Sequence, residues 1–331
     1  MRLLVLGGTE FAGRAVVEAA LGRGWEVTVL NRGRQRPPAG VRALRGDRTQ
    51  ADGLAALAEG TWDVVVDTWS AAPRAVHESA RLLRGRAGRY VYVSTCSVYA
   101  WPAPAGYDEG VPLVEGAEPD ADGTDYARDK RGAELAVVDA FGADRSVLVR
   151  AGLILGPYEN IGRLPWWLGR IARGGPVLAP GPRELPLQYV DVRDLAEWVL
   201  GAAEREPQGP YNLMSPQGHA TMGSLLEACA EVTGGTAQLR WVEPEVVLDA
   251  GIEPWTQLPV WVPAGSDLHD FLHSADVSRA VGAGLRCRPV AETVADTWAW
   301  LQEIGGRAPQ RADRPSVGLD PVVEAKVLAG Q

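Results

Sequence analysis

The run Arg2-Leu3-Leu4-Val5-Leu6-Gly7-Gly8-Thr9-Glu10-Phe11-Ala12-Gly13 decides the fold of this chain. Its first residues read as a buried strand, a glycine pair ends the strand, and the apolar pattern over Gly13–Gly22 is helical. Strand, glycine turn and helix in that order are the context in which a glycine motif holds a pyrophosphate. Gly7 makes the tight turn and Gly13 lets the helix lie close to the strand. The free N–H groups at the helix start, around Thr9, Glu10 and Phe11, then face the phosphates. Glu10 stands where the usual pattern has its middle glycine, so the backbone there must keep φ negative or move away from the phosphate.

Working outward, Glu26–Asn31 reads as a second strand, and apolar runs follow at Val41–Leu44, Asp63–Thr68, Tyr90–Thr95 and Ser146–Arg150. Helical patterns lie between several of them, notably Arg74–Arg84 and Tyr126–Phe141. This alternation predicts an α/β chain: a Rossmann-type doubly wound parallel sheet with a smaller C-terminal substrate-binding part. The expected division is a dinucleotide-binding domain over 1–160, rejoined by about 186–214, and a substrate-binding part from 161–185 and 215–305. A polar tail over 306–331 ends in a short helical pattern, Pro321–Leu328. Eight of the twelve tryptophans follow residue 156. Most read as core, with Trp166, Trp167 and Trp255 as candidates to line a pocket.

A net charge of -9 argues against nucleic acid and against an anionic membrane as partner. The glycine-rich start comes too early for a signal peptide and no apolar run reaches spanning length, so a cytoplasmic protein is expected. Cys96, Cys229 and Cys287 read as free thiols. No metal is expected: His269 and His273 read as a helix face or as hydrogen-bonding groups.

The second strand ends in Asn31-Arg32-Gly33-Arg34, where an acid would bind both ribose hydroxyls of NAD. Asn31 does not repel a 2′-phosphate, and Arg32 or Arg34 can pair with one, which favours NADP, with NAD as the alternative. Asp47 follows the third strand, placed for the adenine edge. Thr68, Trp69 and Ser70 follow the fourth, in a loop expected beneath the cofactor. Only two of the 33 basic residues are lysines, and one of them, Lys130, lies four residues after Tyr126. That spacing puts a phenol and an ammonium on one helix face, and an ammonium near a phenol favours the phenolate. Such a pair suits acid/base work on a carbonyl or alcohol oxygen.

Taken in order, the glycine motif, Ser94-Thr95-Cys96-Ser97-Val98-Tyr99, Tyr126…Lys130 followed by Glu134, Arg150…Gly156-Pro157 and Tyr189-Val190-Asp191-Val192-Arg193-Asp194 resemble the extended short-chain dehydrogenase/reductase superfamily, in its epimerase/dehydratase-like branch. The resemblance implies that Tyr126 passes a proton to or from the substrate oxygen. It implies that Lys130 holds the nicotinamide ribose and that Thr95 hydrogen-bonds the same oxygen as Tyr126. A homodimer through two helices beside Tyr126 is the superfamily's default. Substrate contacts would come from Cys96, Ser97, Tyr158, Trp166, Trp167 and Trp255.

Three departures bear on the substrate. Cys96-Ser97 stands where sugar-nucleotide dehydratases have Asp-Glu. Leu153-Ile154 and Leu187-Gln188 stand where nucleotide-sugar enzymes usually place an Asn and an Arg for the diphosphate. Apolar groups cannot compensate a buried pyrophosphate, which leaves Arg163, Arg170 and Arg183 as candidates. The favoured expectation is an NAD(P)-dependent reductase or dehydrogenase acting on a small, mainly apolar or polycyclic molecule. One alternative is a sugar or nucleotide-sugar epimerase with tightly held NAD. Another is a non-catalytic dinucleotide sensor or RNA-associated protein, against which the Thr95–Tyr126–Lys130 set and the acidic charge both count.

Overall fold

Seven parallel strands form the central sheet of the computed structural model, which describes residues 1–205 and 207–330. In chain order they are β1 (Arg2–Leu6), β2 (Glu26–Asn31), β3 (Arg42–Arg45), β4 (Trp62–Asp67), β5 (Ala87–Thr95), β6 (Ser146–Ala151) and a last strand, Gly209–Leu213. Across the sheet the order is β3-β2-β1-β4-β5-β6 and then Gly209–Leu213, so the chain reverses its winding between β1 and β4. The fold is of the Rossmann type, and its crevice opens beyond the carboxyl ends of these two strands.

The alternation of side chains along the strands explains the two covered faces. Leu3 and Val5, Val27 and Val29, and Val64 and Val66 pack on one face beneath helices α1 (Phe11–Gly22) and α5 (Val192–Arg205). Leu4, Leu6, Val65, Tyr90 and Tyr92 pack on the other beneath α2 (Arg74–Leu83) and α3 (Tyr126–Phe141).

The C-terminal part has a core of its own around Leu164, Trp167, Leu168, Ile171, Leu225 and Trp261. Its strands occur only in pairs: Ile154–Leu155 with Val190–Asp191, Pro186–Leu187 with Ala220–Thr221, and Gly175–Pro180 with Ala237–Val242. Helix α4 (Arg163–Ala172) and the helices Met222–Val232 and Val290–Glu303 pack together beside them. The chain's final helix, Pro321–Ala329, docks on Gly175–Pro180 through Glu324. The Glu324 carboxylate is buried, pairs with Arg170 at 2.6 Å and accepts from Leu178 N at 3.0 Å. No helix among the described residues is long and apolar enough to cross a membrane.

Candidate active site

The glycine turn at the end of β1 takes backbone angles that only glycine adopts freely, φ +120° at Gly7 and +86° at Gly8. A Cβ on Gly13 would stand 2.8 Å from Gly8 N, so the helix comes as close to the turn as it can. Glu10 is extended, with φ -133°, and the strained position passes to Phe11 at φ +34°. The Glu10 carboxylate does not cap α1. It accepts from Gln35 at 2.9 Å and from Asn160 at 3.0 Å, which draws it off the helix start. The first turn of α1 carries no acid and no side-chain cap, which leaves its N–H groups to an anion. Two more groups near the strand ends are buried without a partner among the described residues: Asn31 Nδ2 at the end of β2 and Ser94 Oγ near the end of β5. Asn31 is oriented by Gly33 N, which donates to its Oδ1 at 2.7 Å. Cradle, free N–H groups and orphaned polar atoms fit a dinucleotide lying across the strand ends.

At the third strand Asp47 accepts from the Thr49 hydroxyl at 2.8 Å and the Thr49 amide at 3.1 Å. These bonds hold its carboxyl below the usual range, helped by the charges of Arg32 and Arg34. The three residues thus share one exposed corner beyond β2 and β3.

The floor of the crevice is a buried polar network around Asp67, the last residue of β4. Arg48 grips both Asp67 oxygens at 2.7 Å, and Tyr90 donates to Oδ2 at 2.6 Å. Arg48 also donates to Ser79 Oγ and Ala75 O. Trp69 N donates to Asp67 Oδ1 at 3.0 Å, which sets the course of the Thr68-Trp69-Ser70 loop. The Trp69 carbonyl in turn accepts from Tyr92 at 3.0 Å and from Lys130 Nζ at 2.7 Å.

Lys130 is the hinge between this floor and the reaction chemistry. Its Nζ also donates to Val93 O at 2.6 Å and lies 4.6 Å from the centre of the Tyr92 ring. An ammonium has three donors, and two are spent on these carbonyls. Burial pushes its pKa down to about 7, while Asp67 and Glu134 favour the charge. Tyr126, one turn earlier, is the first residue of α3. The helix start is fastened by Asp125, which accepts from Arg128 N at 3.0 Å, and by Asp129, which accepts from Thr124 N at 2.8 Å. Lys130 is 3 % exposed and Tyr126 37 %, so the pair runs from the buried floor to an open surface. Helix α3 packs against the 3-10 turn Cys96–Val98, which is capped by Thr95: its Oγ1 accepts from Ser97 N and donates to Ser97 Oγ, both at 3.2 Å. A third element ties α3 down. Glu134 and Arg150 form a buried two-pronged pair, 3.0 Å at each contact.

Several residues expected at the substrate are placed elsewhere. Cys96 points into an apolar cluster with Tyr99 and Tyr107 and donates to Arg150 O at 3.3 Å. Burial pushes its thiol up to about 12, so it is an inert filler. Trp167 is wholly buried in the C-terminal core, its indole N–H on Pro259 O at 2.7 Å. Tyr158 turns to α1, donating to Glu18 at 2.9 Å beneath the Arg14 guanidinium. Leu153 is core, and Gln188 braces Ser215 and Ala275, so neither meets an anion. Arg170 is spent on Glu324, and Arg183 lies on the exposed surface with Glu227. His273 links Gln188 N and Val260 O.

Trp255, Trp166 and Arg163 stay near the cleft, and they are joined there by residues the sequence did not single out. Arg163 lies 4.7 Å from the Trp255 ring centre. Arg314, from the tail, lies 4.7 Å from the Tyr126 ring centre. Arg311 reaches Ser70 Oγ at 3.4 Å, and its backbone N–H donates to Asn160 O at 3.0 Å. A Cβ on Gly318 would collide with Trp166, so the tail runs directly over that indole.

Comparison with solved structures returns the same architecture. The UDP-glucuronic acid 4-epimerase of Bacillus cereus in complex with NAD superposes with a TM-score of 0.64 at 15% identity, over 92% of this chain and 99% of that one. A putative epimerase from Burkholderia cenocepacia gives 0.66 at 21%, over 91% and 98%. The UDP-glucose 4-epimerase of Thermus thermophilus with NAD gives 0.58 at 22%, over 91% and 99%. Among curated proteins, none matches the sequence. Residues 3–213, from the glycine turn through Tyr126 and Lys130 to the last strand of the sheet, match the profile of the NAD dependent epimerase/dehydratase family, and this chain belongs to that family.

Proposed function

We propose that the chain is a nicotinamide-dinucleotide-dependent oxidoreductase that interconverts an alcohol and a carbonyl at the mouth of the crevice. The observation that carries this reading is the Tyr126–Lys130 pair: a half-exposed phenol one helical turn from a buried ammonium that is held by Trp69 O and Val93 O with one donor to spare. When bound, the dinucleotide supplies the hydride donor or acceptor. The chain supplies the rest. Tyr126 Oη would move the proton at the substrate oxygen, the Thr95 hydroxyl would turn from Ser97 Oγ to donate to that oxygen, and the free Lys130 donor would hold a ribose hydroxyl of the dinucleotide. The absence of an acid at Asn31 and the presence of Arg32 and Arg34 support NADP over NAD.

A second reading, an epimerase that oxidises and re-reduces one carbon on a cofactor it does not release, draws support from the neighbours, whose own descriptions name epimerases in complex with NAD. The roof of the cleft, with three arginines, favours a polar substrate over the apolar one expected from the tryptophans.

The test is to identify whatever dinucleotide co-purifies, to titrate the stripped protein with NADPH and NADH, and to repeat both with Tyr126→Phe. Exchangeable NADPH supports the reductase, and bound NAD that does not exchange supports the epimerase. Tyr126→Phe is expected to keep dinucleotide affinity and to lower turnover about 10²- to 10⁴-fold. Full activity in that variant, or no binding of either dinucleotide, would overturn the assignment.

A further inference from the structure

The tail between the last two helices is stitched across the cleft. Arg311 N donates to Asn160 O, Arg314 N to Arg311 O at 3.2 Å, and Gly318 N to Thr256 O at 2.8 Å. This path carries Arg314 over Tyr126, where its charge acts on Arg163 at the start of α4. Arg311 is balanced by Asp313 at 2.6 and 2.9 Å. Arg163 and Arg314 have acids nearby, Glu159 and Asp313, but are paired with neither. Among the described residues each has a buried Nε–H without a partner, and neither guanidinium makes a hydrogen bond or an ion pair. Each instead lies over an aromatic face, Trp255 for Arg163 and Tyr126 for Arg314. The acid that supports Arg163 is Glu159, but Glu159 is spent on the backbone. Its oxygens accept from Arg163 N at 2.6 Å and Leu164 N at 3.2 Å, and burial pushes its pKa up to about 7. Burial lowers the Arg163 pKa, Glu159 offsets part of this, and the neighbouring Arg314 charge adds to the lowering.

Buried donors on a charged fork are costly to leave unmade, and a guanidinium fork matches the oxygens of carboxylate and phosphate. We infer that Arg163 and Arg314 form an oxyanion subsite beside Tyr126, which takes a carboxylate or phosphate carried by the substrate close to its reacting carbon. The tail therefore acts as a specificity element. The inference rests on the proposed oxidoreductase reading, because the anion is taken to be the substrate's own.

The test uses the full chain loaded with its dinucleotide, so that the glycine cradle is already filled. Thermal unfolding is followed while inorganic phosphate or malonate is added at constant ionic strength, with sodium chloride as the control. Wild type is expected to show a saturable stabilisation by one of the two probes. Phosphate alone would identify a phosphoryl group and malonate alone a carboxylate. Arg314→Gln and Arg163→Gln are each expected to weaken that response about tenfold, the double variant to abolish it, and Arg314→Lys to restore only part of it. The subsite is refuted if neither probe exceeds chloride, or if the variants titrate like wild type. It is equally refuted if the variants lose dinucleotide affinity and keep the anion response, since the arginines would then serve the cofactor. Dinucleotide binding without an anion response counts against the subsite alone, whereas failure to bind dinucleotide counts against the oxidoreductase reading.

Discussion

The floor and the roof of the cleft treat buried charge in opposite ways. On the floor, Asp67 receives Arg48, Tyr90 and the Trp69 amide, and Lys130 is held by two carbonyls. On the roof, Arg163 and Arg314 keep buried donors with no partner among the described residues. A charge taken out of water must be compensated, and where the chain supplies the compensation the group serves the structure. Where it does not, the group is left for something that arrives later.

The largest effect that would break this comparison lies on the floor. Asp67→Asn leaves the Arg48 guanidinium buried without its countercharge, and urea unfolding should report a loss of about 3–5 kcal/mol. A loss below about 1 kcal/mol would mean that the floor is no better compensated than the roof.

Next in size is a pH effect at Lys130. Burial takes its pKa from 10.5 in the unfolded chain to about 7 in the fold. Between those values the unfolded chain binds more protons, so the free protein gains stability as pH rises from about 7 towards 10.5 and loses it again on the way down. Between pH 7 and about 9 the difference between wild type and Lys130→Met should change with that sign, by about 2–3 kcal/mol. A difference independent of pH would mean that the two carbonyls, with Asp67 and Glu134, keep the ammonium charged throughout.

The smallest expected effect sharpens the contrast from the roof. Arg163→Gln removes a cation that makes no ion pair among the described residues, so the stability of the free protein should stay within about 0.5 kcal/mol or rise slightly. A large loss would show Arg163 to be a structural brace.

Much of the floor was legible in the sequence because its signals are local. The short apolar runs of β1, β2 and β4, the glycines at 7, 8 and 13, and the four-residue step from Tyr126 to Lys130 each follow from the geometry of one element. Even there the role of Asp67 was hidden. It is the last residue of β4, just before the loop expected beneath the cofactor, but its partner Arg48 sits on another loop, beyond β3, and only the folded sheet brings the two together. Cys96 and Trp167 were misplaced for the same reason, since residue type says that a side chain is apolar and not which core receives it.

The sequence alone determined the doubly wound sheet, the glycine cradle and the phenol–ammonium pair, because hydrophobic period, glycine conformation and helical spacing are properties of short stretches of chain. Only the tertiary structure decided what lies above them. Residues 306–320 have no regular element and no periodic pattern, and their course is set by single hydrogen bonds to Asn160 and Thr256, residues far away in the sequence. Such bonds leave no mark on composition or spacing, and it is they that carry Arg314 over Tyr126.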